Sequence, residues 1–212
     1  MFAFLRGAVR DPPMPLPLFP LHTVLYPGGV LPLKIFEQRY VEMAKACLKD
    51  RQPFGVCLIR HGAEVAKDGA GPPEFASIGT LATIAAWDMP QLGILHVTST
   101  GGERFEVRSH AVRADGLVVA EVTPIPAEPA VALPAAYAQL ARLLELLAQR
   151  IGPKNFPPTR EYADASWVGY RLAELLPLPL PIKQSMLEIN DSGVRLAALR
   201  AFLAQQGALP GA

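Results

Sequence analysis

The stretch Leu16–Tyr40, LPLFPLHTVLYPGGVLPLKIFEQRY, decides how the rest of the chain is organised. It contains two apolar runs separated by Pro27-Gly28-Gly29, where glycine permits the positive φ of a sharp turn. The first run predicts a strand over 16–21, and the second predicts a strand over 30–35. Apolar residues then recur at helical spacing, so we predict an amphipathic helix over 37–48.

The following segment repeats short strand patterns that are separated by glycine-containing turns. We predict these strands over 54–60, 78–87, 93–99, 104–113 and 117–123. Thr100-Gly101-Gly102 predicts a turn between two of them, and Asp115-Gly116 predicts a hairpin. The segment 61–74 is rich in Gly, Ala, Pro and charge, which is typical of an exposed loop. Several short strands at this spacing indicate a barrel or a strongly bent sheet.

The composition changes after Pro124. Residues 125–134 form an Ala/Pro segment without periodicity, which predicts a linker. Apolar residues at helical spacing return beyond it, and Asp164 and either Asp191 or Ser192 are good N-caps for two of the helices. The fold class is therefore α+β. We expect a β-rich subdomain over 14–124 and a helical subdomain over 135–207, with an N-terminal extension (1–13) and a tail (208–212).

Composition limits the classes of function. Half of the 212 residues are hydrophobic, which argues against disorder, and the formal net charge of +1 argues against broad nucleic-acid binding. No apolar run reaches the ~20 residues of a membrane span, and the N-terminal segment does not resemble a signal peptide. We expect a cytoplasmic location, with Cys47 and Cys57 as buried, reduced thiols.

Local motifs for catalysis are missing from the sequence. It contains neither GxxxxGK[ST] nor GxGxxG for a nucleotide, and it has no GxSxG nucleophile elbow. Its four histidines form neither an HExxH pair nor a Cys–His metal spacing. We therefore expect no enzyme activity, no cofactor and no metal. A hydrolase assembled from distant residues is the least favoured alternative.

The opening stretch resembles the start of the Lon protease N-terminal domain, which is also called the Lon substrate-binding domain. Later segments agree with that family in their order: Phe54-Gly55-Val56, IGTLATI over 78–84, Gly101-Gly102-Glu103-Arg104-Phe105, and LPLPLPIKQSMLEINDSGVRL. The resemblance extends over Pro15–Gln205. Positions that match the family and are expected to support the fold are Pro27, Gly28, Glu37, Gly79, Gly101, Arg104 and Phe105.

The resemblance implies a PUA-like β-rich subdomain followed by a helical bundle, and a role in engaging unfolded polypeptides. The sequence ends where the ATPase and Ser–Lys peptidase domains of Lon proteases begin, so we expect a stand-alone binding domain without those activities. Partners would be an unfolded or extended polypeptide and a separate protease or chaperone. We expect neither nucleic acid nor membrane as a partner. Exposed apolar surface would favour a homodimer.

Two interpretations of the opening stretch remain. In the first, an apolar groove with a polar rim binds polypeptide, and a free sheet edge adds main-chain hydrogen bonds. The residues predicted for that surface are Leu31, Pro32, Phe36, Arg39 and Tyr40. In the second, the same residues form a packed corner in which Phe36 fixes the helix to the sheet. A Glu37–Arg104 ion pair is a further prediction, and a small-molecule or RNA site on the barrel is the alternative function.

Overall fold

The computed structural model describes residues 14–65, 71–152 and 156–207, so the predicted extension (1–13) and tail (208–212) lie outside the described residues. The strands are β1 (Met14–Leu21), β2 (Val30–Ile35), β3 (Phe54–His61), β4 (Glu74–Phe75), β5 (Ile78–Gln91), β6 (Ile94–Val112) and β7 (Val118–Ile125). The helices are α1 (Gln38–Asp50), α2 (Ala138–Ile151), α3 (Ala165–Leu175), α4 (Leu180–Glu188) and α5 (Ser192–Gln205), with a 3-10 turn at Ala135–Tyr137 before α2.

The sheet closes on itself. Its strand order is β1-β7-β6-β5-β3-β4, and β1 also pairs in parallel with β3, which completes a ring through β7, β6 and β5. The strands therefore form a small barrel followed by helices, and the predicted α+β class is confirmed. Among the described residues β2 pairs with β6 alone, so its other edge carries unpaired backbone groups.

The predicted turn at Thr100-Gly101-Gly102 is wrong, because β6 continues through these residues. Glycine is needed here for a close approach of two backbones. A methyl group built on Gly101 would lie 2.2 Å from the carbonyl oxygen of Tyr26. Two hydrogen bonds of 2.8 Å join the two backbone segments. The Gly28 amide donates to the Gly101 carbonyl, and the Gly101 amide donates to the Gly29 carbonyl.

Several local predictions are confirmed by backbone geometry. Gly116 has a φ of +82° in the turn that joins β6 to β7, as expected for the Asp115-Gly116 hairpin. Asp164 caps α3 by accepting a hydrogen bond of 2.7 Å from the Trp167 amide. Asp191 caps α5 by accepting one of 2.9 Å from the Val194 amide. Each cap satisfies a backbone donor that has no partner inside its helix.

Gly79 and Phe105 are a small and a large residue that pack against each other in the barrel. They are directly opposite in the β5–β6 ladder, and Phe105 is fully buried. A methyl group on Gly79 would lie 2.4 Å from the Val56 carbonyl oxygen and 2.7 Å from the Phe105 ring. Glycine on one strand therefore leaves the space that the phenylalanine ring on the next strand fills.

The hydrophobic core extends from the barrel into the helices. One cluster of buried side chains joins Val24, Tyr26 and Leu58 of the barrel to the inner faces of α2, α3 and α5. Cys47 and Cys57 are free and buried, as predicted, and burial raises the pKa of Cys57 to about 12. A thiol with so high a pKa is a poor nucleophile. None of the helices in the described part of the chain is long and apolar enough to cross a bilayer.

Candidate functional site

The structure divides the predicted binding residues into exposed and buried ones. Phe36 is 55% exposed and Pro32 lies on the surface of β2. Leu31 is half-buried against the core that α1 covers, and Tyr40 is only 3% exposed. Phe36 therefore does not fix the helix to the sheet. Tyr40 lines the small cavity beside Phe36 but is almost completely buried.

Tyr40 is part of the core beneath α1. Its ring stacks on Phe19 with 3.9 Å between centroids, and the Arg39 guanidinium lies 4.5 Å from the ring centroid on the rim of this packing. Burial raises the pKa of Tyr40 to about 12 despite the nearby positive charge of Arg39. The position therefore supports α1 against the barrel.

Changing Tyr40 to alanine should destabilise the fold, because it removes a large buried ring. We expect Tyr40→Ala to lower the free energy of unfolding by about 3–5 kcal/mol. Phe36→Ala, four residues earlier, should lower it by less than about 1 kcal/mol because the ring is mostly in water. Urea denaturation followed by circular dichroism measures both. Equal losses for the two variants would contradict this assignment.

Arg39 organises the corner in front of α1. Its Nη1 donates to the Gly116 carbonyl at 2.9 Å, and its Nη2 lies 3.0 Å from the Glu37 carboxylate. The predicted Glu37–Arg104 ion pair is wrong. Arg104 is 3% exposed and points toward the helices, where it donates to the carbonyls of Leu187 at 2.8 Å and Ile189 at 3.1 Å.

The partner of Arg104 is Glu128, a residue of the Ala/Pro linker whose side chain is 4% exposed. Its carboxylate lies 3.7 Å from Arg104 and pairs with both Nη1, at 3.0 Å, and Nη2 of Arg195. Ser166 and Tyr170 donate to the same carboxylate at 3.0 and 2.6 Å. One buried acid therefore connects β6, α3 and α5 to the linker.

The network around Glu128 keeps this carboxylate ionised. Burial alone would raise the pKa of Glu128, but hydrogen bonds from Arg195 and Tyr170, with the charge of Arg195, lower it below its ordinary value. Arg195 also lies over the Tyr170 ring, 3.8 Å from the centroid, and burial raises the Tyr170 pKa. These groups satisfy one another, which is the requirement for stable buried charge.

A second network attaches the opening turn to the helices. Arg171, which is fully buried, donates to the Pro27 carbonyl at 3.0 Å and lies 3.2 Å from the Glu174 carboxylate. Tyr26 donates to the Lys183 carbonyl at 2.8 Å. Burial raises the pKa of Glu174, against the positive charges of Arg171 and Lys183. Pro27 and Gly28 therefore lie at the junction of barrel and helices.

Sequence reasoning missed the acid and the arginines of these networks. Glu128 is a single charged residue in an Ala/Pro run, which we interpreted as a linker. Arg171 and Arg195 lie beside the apolar stripes of α3 and α5, where arginine is usually exposed. An arginine next to the apolar face of a predicted helix could have indicated a buried charge. The groups that pair with it lie far away in the sequence, so the pair itself was not visible.

Exposed apolar side chains remain around β2. Phe36 and Val65 border a small cavity of about 170 Å³ beside the free edge. Trp87, which is 59% exposed, lies on β5 beyond β6 and borders a cavity of about 380 Å³ over the β2–β6–β5 face. Pro32 lines both. We call these four residues, together with the unpaired edge of β2, the β2 surface. It is an exposed hydrophobic patch beside open backbone groups, as in many recognition surfaces.

No cluster of His, Cys, Asp and Glu among the described residues could hold a metal ion. The two networks use their charged groups to join elements, and neither presents an activated nucleophile next to a base. The geometry of the described residues is that of a folded barrel–helix unit with an exposed apolar surface.

Comparison with known proteins gives the family. The model of the ATP-dependent protease La (LON) substrate-binding domain matches residues 15–205, so the chain belongs to this family. A Lon protease from Phenylobacterium zucineum is 28% identical over 207 residues, which are 95% of this chain and 26% of that protein. Lon protease 2 from Myxococcus xanthus is 36% identical over 76 residues, which are 35% of this chain and 9% of that protein. The chain thus spans about a quarter or less of the length of these relatives.

Solved structures agree with the family. The Lon N-terminal domain protein from Xanthomonas campestris has a TM-score of 0.71 and 36% sequence identity, covering 89% of this chain and 98% of its own. The N-terminal domain of Mycobacterium avium complex Lon protease has a TM-score of 0.61 at 18% identity, covering 90% and 98%, which supports the fold alone. The family match is to a substrate-binding domain and not to a catalytic one.

Proposed function

We propose that this protein is a non-catalytic module that binds unfolded or extended polypeptide through the β2 surface. The observation that carries the proposal is an exposed apolar patch beside an open strand edge in a member of the Lon substrate-binding domain family. The two free, buried cysteines fit a reducing compartment, and we propose that the protein acts in the cytoplasm.

The mode of binding follows from the chemistry of the surface. An extended chain placed along the free edge of β2 would gain main-chain hydrogen bonds and would cover Phe36 with its own apolar side chains. A further part of the same ligand would have to cross the β2–β6–β5 face to cover Trp87, because β6 separates β2 from β5. Pro32 has no amide hydrogen, so this edge offers one donor fewer than an ordinary strand. A short edge and few aromatic contacts predict weak affinity, which suits a module that must release many different sequences.

The test is fluorescence anisotropy of a labelled, permanently unfolded polypeptide titrated with the protein, with a folded protein of similar size as the control ligand. We expect saturable binding of the unfolded ligand only. Phe36→Ala combined with Trp87→Ala should weaken it about tenfold or more, because burying either ring contributes about 1.5–3 kcal/mol. Neither ring is in the core, so the fold should be retained.

A matched control keeps the interpretation clear. Leu146→Ala removes an exposed apolar side chain from α2, away from the β2 surface, and should leave the affinity unchanged. Binding that is unaffected by the Phe36 and Trp87 changes would reject the β2 surface as the site. Saturable, salt-sensitive binding of RNA in place of polypeptide would favour the alternative function.

The partners follow from the same surface. We propose that the β2 surface delivers bound polypeptide to a separate protease or chaperone. The patch could also be covered by a second copy of the chain. Sedimentation at rising protein concentration tests the homodimer, and Trp87→Ala should weaken any dimer that uses the β2 surface.

A further inference from the structure

A larger cavity lies at the junction of the barrel and the helices, away from the β2 surface. Its volume is about 650 Å³, within the usual range of ligand-binding cavities. The barrel contributes Val30, Gly101, Gly102 and Ile125, and the segment after β7 contributes Ala127 and Ala130. The start of α3 contributes Trp167 and Tyr170, so three separate parts of the chain form one cavity.

The wall of this cavity is mostly apolar and is held in place. Tyr170 is fixed from behind, because its hydroxyl donates to Glu128 and its ring lies under the Arg195 guanidinium. The Trp167 ring is half-buried and makes edge-to-face contacts with Phe156 and Tyr162. The aromatic side of the cavity therefore exists before any ligand arrives, which reduces the entropy cost of binding.

The charges around the cavity are unbalanced. Arg104 is the only basic side chain that lines it among the described residues, and its guanidinium is engaged by Glu128 and by two carbonyls of the chain. Glu103 and Glu161 are exposed on the rim, and neither forms an ion pair with a described residue. Two further carboxylates line the cavity but are engaged: Asp164 caps α3, and Glu128 pairs with Arg195.

We propose that this cavity binds a polypeptide segment in which a lysine or arginine lies next to an aliphatic or aromatic side chain. The apolar side chain would fill the space beside Trp167 and Tyr170, and the cation would lie at the carboxylates of Glu103 and Glu161. The proposal rests on the polypeptide-binding function but uses a different surface. It gives the protein a preference for basic apolar segments that the β2 surface does not supply.

The structure also provides the reporter. The chain has two tryptophans, and Trp87→Phe leaves Trp167 as the only one. The probe is the peptide acetyl-Ala-Leu-Lys-Val-Leu-Arg-Ala-amide, which has no aromatic residue. The comparison peptide has Glu in place of Lys and Arg. We expect the basic peptide to change Trp167 emission saturably, with an affinity that falls as salt is added. The acidic peptide should bind at least about tenfold more weakly.

Two kinds of variant locate the site. Glu103→Gln combined with Glu161→Gln should weaken the basic peptide about five- to tenfold, since two exposed ion pairs are lost. Glu145→Gln, an exposed carboxylate on α2 outside the cavity, is the matched control and should change nothing. Ala130 is an exposed residue that lines the cavity, so Ala130→Phe places an aromatic ring there. The ring should fill the space and block binding of either peptide, whatever its charge.

The outcomes separate this inference from the proposed function. Equal binding of the basic and acidic peptides, or full binding to the Ala130→Phe variant, would overturn it. Spermidine that competes as well as the peptide would also overturn it, because the site would then serve small cations. Phe36→Ala should leave the Trp167 titration unchanged. If unfolded polypeptide still binds in the anisotropy assay while the basic peptide fails, only the cavity proposal falls.

Discussion

Replacing Glu128 with alanine should destabilise this protein more than any other single loss of charge in the described residues. The change removes the acceptor for Arg195, Ser166 and Tyr170 and leaves Arg104 and Arg195 buried without a carboxylate. Breaking a buried pair by removing one partner costs about 3–5 kcal/mol. In a chain of this size the melting temperature should fall by about 10 °C, which differential scanning calorimetry measures.

Graded controls show whether the carboxylate is responsible. Ser166→Ala removes one hydrogen bond from a neutral hydroxyl to the Glu128 carboxylate and should cost about 1 kcal/mol of stability, while Glu145→Ala on the surface of α2 should cost less than about 0.5 kcal/mol.

The low pKa of Glu128 in the folded state also makes the stability of the protein depend on pH. The stabilisation that the ionised Glu128 carboxylate provides is fully present above its pKa in the unfolded chain, about 4.3. It is lost as the pH falls through the lower pKa of the folded state. The difference in free energy of unfolding between wild type and Glu128→Ala should therefore become smaller only below about pH 4. If Glu128→Ala is as stable as Glu145→Ala at neutral pH, the structural role of this network is contradicted.

Gly101→Ala should have the second large effect. The added methyl group would lie 2.2 Å from the Tyr26 carbonyl oxygen and 3.2 Å from a methyl carbon of Leu25. The carbonyl is backbone, so relief requires moving the Pro27-Gly28-Gly29 turn, which is tied to Gly101 by two hydrogen bonds. We expect a loss of about 3 kcal/mol or more in urea denaturation.

Gly102 is the matched control for this prediction. It is the next residue of β6, it is exposed, and a methyl group there would come no closer than 3.6 Å to its nearest neighbours in Leu81. Gly102→Ala should change the free energy of unfolding by less than about 0.5 kcal/mol. Similar stability for both alanine variants would show that the close approach at Gly101 is not required.

Periodicity was sufficient to predict most of the secondary structure. The strand over 30–35, the cap at Asp164 and the Asp115-Gly116 hairpin follow from local signals that tertiary contacts do not override. For the final helix, local signals narrow the cap to Asp191 or Ser192, and the structure has Asp191. The prediction failed at Thr100-Gly101-Gly102, because a glycine pair indicates a turn unless a distant segment needs the space. The backbone of Tyr26 is that distant segment, and its position depends on the folded barrel.

The candidate site was less accessible from sequence for the same reason. Tyr40 and Phe36 both lie in IFEQRY and have similar local patterns, but only Tyr40 faces Phe19 in the core. We expect Arg104 to support the fold, but its partner Glu128 comes from the Ala/Pro segment, far away in the sequence. Pairing between residues far apart in the chain is fixed by topology, which a single sequence does not encode locally.

Amide hydrogen exchange on the complex with an unfolded polypeptide tests the central claim most directly. If an extended chain pairs with the free edge of β2, amide hydrogens within Val30–Ile35 should exchange more slowly at saturating ligand, while those of α5 should be unchanged. The same protection should be lost in the Phe36→Ala, Trp87→Ala variant. Saturable binding with unchanged exchange throughout β2 would contradict recognition at this edge and would direct the search to the cavity between the barrel and the helices.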